Sequence, residues 1–328
     1  MQLWNIYHPE IPEWMHALLE TDAMQRLQDV GMNCGCEYTA FPIFSDLQPY
    51  SRLEHSLGVA LIVWHFTEDM TQAAAGLLHD IATPVFAHTV DFLNGDHMTQ
   101  ESTEIHTGRM IREDLQLRQA LKENGIAVES VTDYHRYPVA DNESPRLSAD
   151  RLEYTLGNGV NYGFITREQA AGMYQDLLVG SNEAKQPELM FRSRETALAF
   201  AKLALRCSGI YVSDEDRYAM QMLSQLLKDA LGAGVLKRED LYTQEKAVVQ
   251  KLLRSPLSHR WKQYCNYKAV LRRNTPGRED GWQQIFAKKR YINPFVLDTG
   301  RVSALEPMFA GELAAFLKHS QMAWIKGV

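Results

Sequence analysis

The stretch GLLHDIATPVFAH, residues 76 to 88, sets two imidazoles and a carboxylate around a proline at the end of an apolar run. Residues 71 to 80 read as a nearly continuous apolar helix, buried on most sides, and Pro84 disfavours helical geometry in Thr83 before it. Adjacent residues on a helix point about 100° apart, so His79 and Asp80 would not share a target from the middle of one. At a helix end, where the backbone is released, both can turn toward one point. An ionised Asp after so apolar a run is costly unless it is paired or bound to a cation. The doublet therefore calls for a partner.

Two residues elsewhere answer that call. Residues 53 to 66 place Leu53, Leu57, Leu61 and Trp64 on one helical face. His55 lies near the start of that helix, and the short connection at 67 to 70 makes it an antiparallel neighbour of the next, so its start falls beside His79 and Asp80. Asp150 lies three residues after Leu147 and four before Tyr154, so its carboxylate projects from an apolar stripe that again demands a partner. Two neutral imidazoles and two carboxylates suit a divalent ion such as Mn, Fe, Co, Ni or Zn, with positions left for water and substrate.

The remainder of the chain frames this constellation. Its 328 residues, 45% apolar and 23% charged, suit a globular protein with a sizeable core. Helical patterns recur at 99 to 123, 146 to 156, 167 to 178, 191 to 211, 214 to 232 and 244 to 254. Strand signals are confined to 36 to 44 and 289 to 297, so a mainly α protein with minor short β elements is expected. The polar connector at 180 to 189 divides an N-terminal helical core, 1 to 180, from a C-terminal helical lobe, 181 to 328. No membrane span or secretory signal is read, which leaves a cytoplasmic protein, and the four cysteines read as free thiols. A net charge of −7 argues against nucleic-acid binding. Residues 251 to 290 nevertheless carry eleven Lys or Arg against Glu279 and Asp280, a balance of +9. That block is a secondary lead to a phosphate site.

The order His55, His79-Asp80, Asp150 resembles the H…HD…D signature of the HD-domain metal-dependent phosphohydrolases. The blocks MQRLQDVGM (24 to 32), AFPIF, SRLEHSLGV (51 to 59), LLHDIATPVFAH and SADRLEYT (148 to 155) are similar to those of its deoxynucleoside triphosphate triphosphohydrolase branch. The resemblance implies an HD-domain helical core in which His55, His79, Asp80 and Asp150 hold a divalent metal, Mg included. It also implies phosphate contact by Arg52, a basic residue at Arg151, a sugar-side Tyr154 and a pocket histidine at His88. The partner it implies is a nucleotide or other small phosphorylated substrate, bound by a homo-oligomer built through the C-terminal lobe.

Two departures bear on the chemistry. Thr83 stands where the branch carries a pocket histidine. Gln100-Glu101 aligns with its His-Glu pair, and a glutamine cannot deliver a proton at neutral pH. Asp80 or Glu101 is then expected to orient or deprotonate the attacking water, and His88, His97 or His106 to substitute for the missing donor. Three readings stay open: dNTP triphosphohydrolysis, hydrolysis of a nucleoside monophosphate or another small phosphoester, and nucleotide sensing with little turnover.

Overall fold

The computed structural model describes residues 3–95, 98, 106–277 and 280–328. The expected mainly α architecture is present. Its centre is the helix pair Arg52–Thr67 and Met70–Leu78. Ser51 starts the first of these with a reciprocal capping box: its Oγ accepts from Glu54 N, and the Glu54 carboxylate accepts from Ser51 N at 3.0 Å. Glu68, in the left-handed region at φ 52°, reverses the chain, and the Asp69 carboxylate caps the second helix by accepting from Thr71 N and Gln72 N. That helix stops at Leu78, two residues short of the expected end at 80 and six before Pro84.

A third helix, Ala149–Asn161, approaches the first at Gly58 and the segment just before it at Gly157. Gly58 abuts Glu153, and Gly157 abuts the Tyr50 ring. Close approach without a Cβ lets polar side chains occupy the interface between these helices.

Three expectations need correction. The strand expected over 36 to 44 is instead two short 3-10 turns, Cys36–Tyr38 and Pro42–Phe44. Gly35 at φ 85° and the fixed φ of Pro42 favour tight turns over an extended run. The helix expected over 99 to 123 is divided, within the described residues, into Thr107–Glu113 and Leu115–Glu123. Asp114 ends one and caps the next, its side chain accepting from Leu117 N at 2.8 Å. Over 289 to 297 only Phe295–Val296 forms a strand.

The connector at 180 to 189 is the tip of a β-hairpin. Leu177–Ser181 pairs antiparallel with Pro187–Phe191, with Leu178 opposite Met190. The second hairpin strand pairs in parallel with Phe295–Val296, which pairs in turn with Gly300–Arg301. A separate ribbon joins Val270–Arg273 to Trp324–Gly327. The long helices Arg194–Tyr211 and Asp214–Gly232 lie where the sequence places them. Large buried side chains from Tyr7 to Phe309 belong to one connected core. All four cysteines are free thiols, and no described helix is long and apolar enough to cross a membrane.

Candidate metal centre and its cavity

The ends of the three central helices meet at one point. His55 comes from the first turn of Arg52–Thr67, His79 and Asp80 from the turn just after Met70–Leu78, and Asp150 from the first turn of Ala149–Asn161. His55, His79 and Asp80 each offer a ligand atom within 4.8 Å of the others. Asp80 Oδ2 lies 3.9 Å from His55 Nε2 and 3.7 Å from His79 Nε2, and Asp150 Oδ1 lies 3.1 and 3.8 Å from the same two nitrogens. Ligand atoms about 2.1 Å from a cation and 90° to 110° apart would be separated by about 3.0 to 3.4 Å. The donor set is thus within a small adjustment of a first-row divalent ion.

Both imidazoles are aimed from behind. His79 Nδ1 bonds the Gly76 carbonyl at 2.7 Å, and His55 Nδ1 bonds Glu153 Oε2 at 2.5 Å, so each ring turns Nε2 toward the shared point. Such partners fix the tautomer and raise ligand basicity. Glu153 is itself held by the hydroxyls of Tyr50 and Tyr7. It was not among the sequence candidates, although it lies one helical turn after Asp150.

Electrostatics complete the fit. Burial alone would raise Asp80, but Arg52 and the two imidazoles hold it well below the usual carboxylate range. Burial would lower His55, but hydrogen bonds to Asp150 and Glu153 overcome that and push it up to about 10. Burial would raise Asp150, yet His55 holds it low. A divalent ion bound here would compete with the proton that this arrangement favours on His55.

The other sequence candidates surround this point. Arg52 Nη1 donates to Asp80 Oδ2 at 2.8 Å, and its Nε has no partner among the described residues. Thr83 Oγ1 donates to Asp80 Oδ1 at 2.8 Å, so the residue that replaces a histidine orients the carboxylate. His88 Nδ1 bonds the fully buried Asp91 at 2.8 Å, and its Nε2 faces Arg290 Nη2 at 3.3 Å. Burial, with Arg290, lowers its pKa against the opposing pull of the Asp91 hydrogen bond. Tyr154 lines the cavity, its hydroxyl pKa raised by burial. Arg151 also lines it, but its guanidinium is engaged by Asp141, by Asn142 and by the Arg146 carbonyl. Gln100, Glu101 and His97 lie outside the described residues. His106 is described, with its ring against Tyr242, and does not line the cavity.

All of this opens on a cavity of about 830 Å³. That is ample for a ligand the size of a nucleotide. Part of the lining comes from later in the chain: Tyr211 and Asp216 near the junction of the two long helices, then Lys288, Arg290 and Tyr291. The basic residues 288 and 290 belong to the positively charged block noted in the sequence.

Comparison with known proteins agrees with this geometry. Residues 52–154 match the sequence profile of the HD domain family. That segment is an HD domain. The chain is 26% identical over 203 residues to the uncharacterized protein YdhJ of Bacillus subtilis, covering 62% of this chain and 61% of that protein. It is 26% identical over 198 residues to the metal-dependent phosphohydrolase cns2 of Cordyceps militaris, covering 60% and 54%. The chain thus spans little more than half the length of these curated relatives. Its fold is similar to that of a hypothetical protein from Aquifex aeolicus, with TM-score 0.64, 18% identity and coverage of 92% and 89%. A phosphohydrolase from Bacteroides thetaiotaomicron gives TM-score 0.65, 15% identity and coverage of 97% and 96%. The HD profile begins at Arg52 and ends at Tyr154, and so encloses every expected ligand but not the wall from 184 onward.

Proposed function

We propose that the protein is a metal-dependent phosphohydrolase acting on a nucleotide, with dNTP triphosphohydrolysis as the leading reaction. One observation carries this reading: two Nε2 atoms, each aimed from behind through Nδ1, converge with the Asp80 carboxylate at the floor of a nucleotide-sized cavity. His55, His79, Asp80 and Asp150 would hold the ion. A divalent ion bound there supplies an acidified water and polarises a phosphoryl oxygen. Thr83 and Arg52 fix the two Asp80 oxygens, and Arg52 sets a positive charge beside the site of phosphoryl charge. Tyr154 is suited to packing against the sugar. His88, bonded to Asp91, is placed beside Arg290.

Hydrolysis of a nucleoside monophosphate is a second reading. It is favoured by Thr83, whose hydroxyl is spent on Asp80 where the triphosphohydrolase branch keeps a histidine. Both are settled by incubating the purified chain with Mn, Co, Ni or Mg and a panel of dNTPs and nucleoside monophosphates. The primary reading expects inorganic triphosphate from a dNTP; phosphate from a monophosphate alone selects the second. Asp80→Asn is the preferred control, because it keeps a hydrogen-bond acceptor for the buried Arg52 guanidinium that Asp80→Ala would remove. Nucleotide-induced thermal stabilisation with no product from any substrate would leave a sensor. Homo-oligomerisation through the C-terminal lobe belongs to the same reading, and light scattering showing a monomer would remove it.

A further inference from the structure

The segment 284–294 has no regular secondary structure, yet it is tied down along its length. Gln283, just before it, exchanges backbone hydrogen bonds with Ile325 at 2.9 and 2.8 Å. The Ile285 carbonyl accepts from the buried Arg217 guanidinium. Ala287 bonds the Gln321 side chain twice: its N–H donates to Oε1 at 2.6 Å, and its carbonyl accepts from Nε2 at 3.1 Å. Lys289 turns away from the cavity and donates Nζ to the Leu317 and His319 carbonyls, both at 2.6 Å, at the end of the helix Pro307–Lys318. Asn293 N donates to the Pro145 carbonyl at 2.9 Å. Between these anchors Lys288 and Arg290 line the cavity. With His88 Nδ1–H donating to the Asp91 carboxylate, Nε2 is left as an acceptor for the Arg290 guanidinium.

A side chain so long and flexible loses considerable rotamer entropy when it is held in one place. Here two cations are set by backbone anchors on either side, and Arg290 also by a buried Asp–His chain, in the cavity that the candidate metal ligands line. We propose that Lys288 and Arg290 bind the phosphate groups of the substrate remote from the metal centre, and that Gln321, which does not line the cavity, is the positioning residue that holds them there. The assignment rests on the phosphohydrolase reading of the cavity. It adds a polyphosphate-recognising wall supplied from outside the HD segment.

The test is calorimetric titration of the full, chelator-treated chain with inorganic tripolyphosphate, beside a separate Mn²⁺ titration of each variant. Wild type binds tripolyphosphate. Lys288→Ala and Arg290→Ala each weaken it about tenfold or more, the loss of one charge-assisted contact. Gln321→Leu weakens it about fivefold or more without removing a ligand atom, and Gln321→Glu, which keeps an acceptor for Ala287 N, recovers part of the loss. Lys289→Met, which cuts an anchor on the other side, reproduces the Gln321→Leu effect should that variant melt early. Mn²⁺ affinity stays within twofold of wild type throughout. Tripolyphosphate affinity unchanged in Lys288→Ala and Arg290→Ala, no binding by wild type, or an equal fall in Mn²⁺ affinity would overturn the proposal. Because the readout needs no turnover, a failure of the hydrolase reading and a failure of this one are separately visible.

Discussion

At the scale of the residue, the candidate metal centre depends on groups that would not touch an ion. Glu153 is the clearest: it holds His55 Nδ1 and is itself held by two tyrosines. Glu153→Gln should lower Mn²⁺ affinity about 10- to 100-fold, as removal of such a partner does elsewhere, measured by titration with the fold checked by circular dichroism. Other buried acids face a different balance. Burial raises Asp216 from 3.8 to about 8, and burial with Glu245 raises Glu37 from 4.5 to about 8. Between those limits the native chain keeps protons that the unfolded chain releases. Their contribution to stability is therefore complete at low pH and is lost as pH climbs through about 8, with a slope of up to about 1.4 kcal/mol per pH unit for each group. Urea melts from pH 5 to 8 should show stability falling, and Asp216→Asn should flatten that fall. An unchanged slope in the variant would show that Asp216 is ionised in the fold.

At the scale of the element, the first and third helices meet through glycine. An alanine inside a helix ordinarily stabilises by about 1 kcal/mol relative to glycine. At Gly58 the added Cβ would stand 2.6 Å from Glu153 Cγ and 2.7 Å from its Oε1. Gly58→Ala should therefore push Glu153 off His55 and weaken Mn²⁺ binding, whereas Gly172→Ala, in the helix Arg167–Gln175 with open space around it, should raise the melting temperature and leave metal affinity alone. The sequence pattern carried the helices because apolar spacing reports a buried face directly. It carried the four expected ligands because an acid or imidazole on such a face needs an explanation. Glu153 sat on the same face as Asp150 but was unreadable, since its role depends on which residue of the neighbouring helix lies opposite. The strand expected over 36 to 44 failed for a local reason: aromatic and β-branched residues suggested extension, and Gly35 and Pro42 imposed turns instead.

At the scale of the whole molecule, the centre is a point where separate stretches of chain are stitched together, so occupancy should report on global stability. Mn²⁺ at 100 times its dissociation constant should add about 2.7 kcal/mol, seen as an upward shift in thermal melting that Asp80→Asn abolishes. A shift of equal size in that variant would place the ion elsewhere. The far wall was the least legible part of the site. Arg290 lies 202 residues from the histidine it meets, and in the sequence it was one member of a basic block with no geometry to single it out. The division between the two sources of the cavity has a consequence for how such a protein changes. The residues that would hold an ion lie between 55 and 150, while the surface we propose to recognise the substrate is borrowed from a pinned loop more than a hundred residues later. Replacing a few side chains on that loop could redirect the molecule to a new phosphorylated compound without disturbing the grip, so reagent and recognition can drift apart on one scaffold.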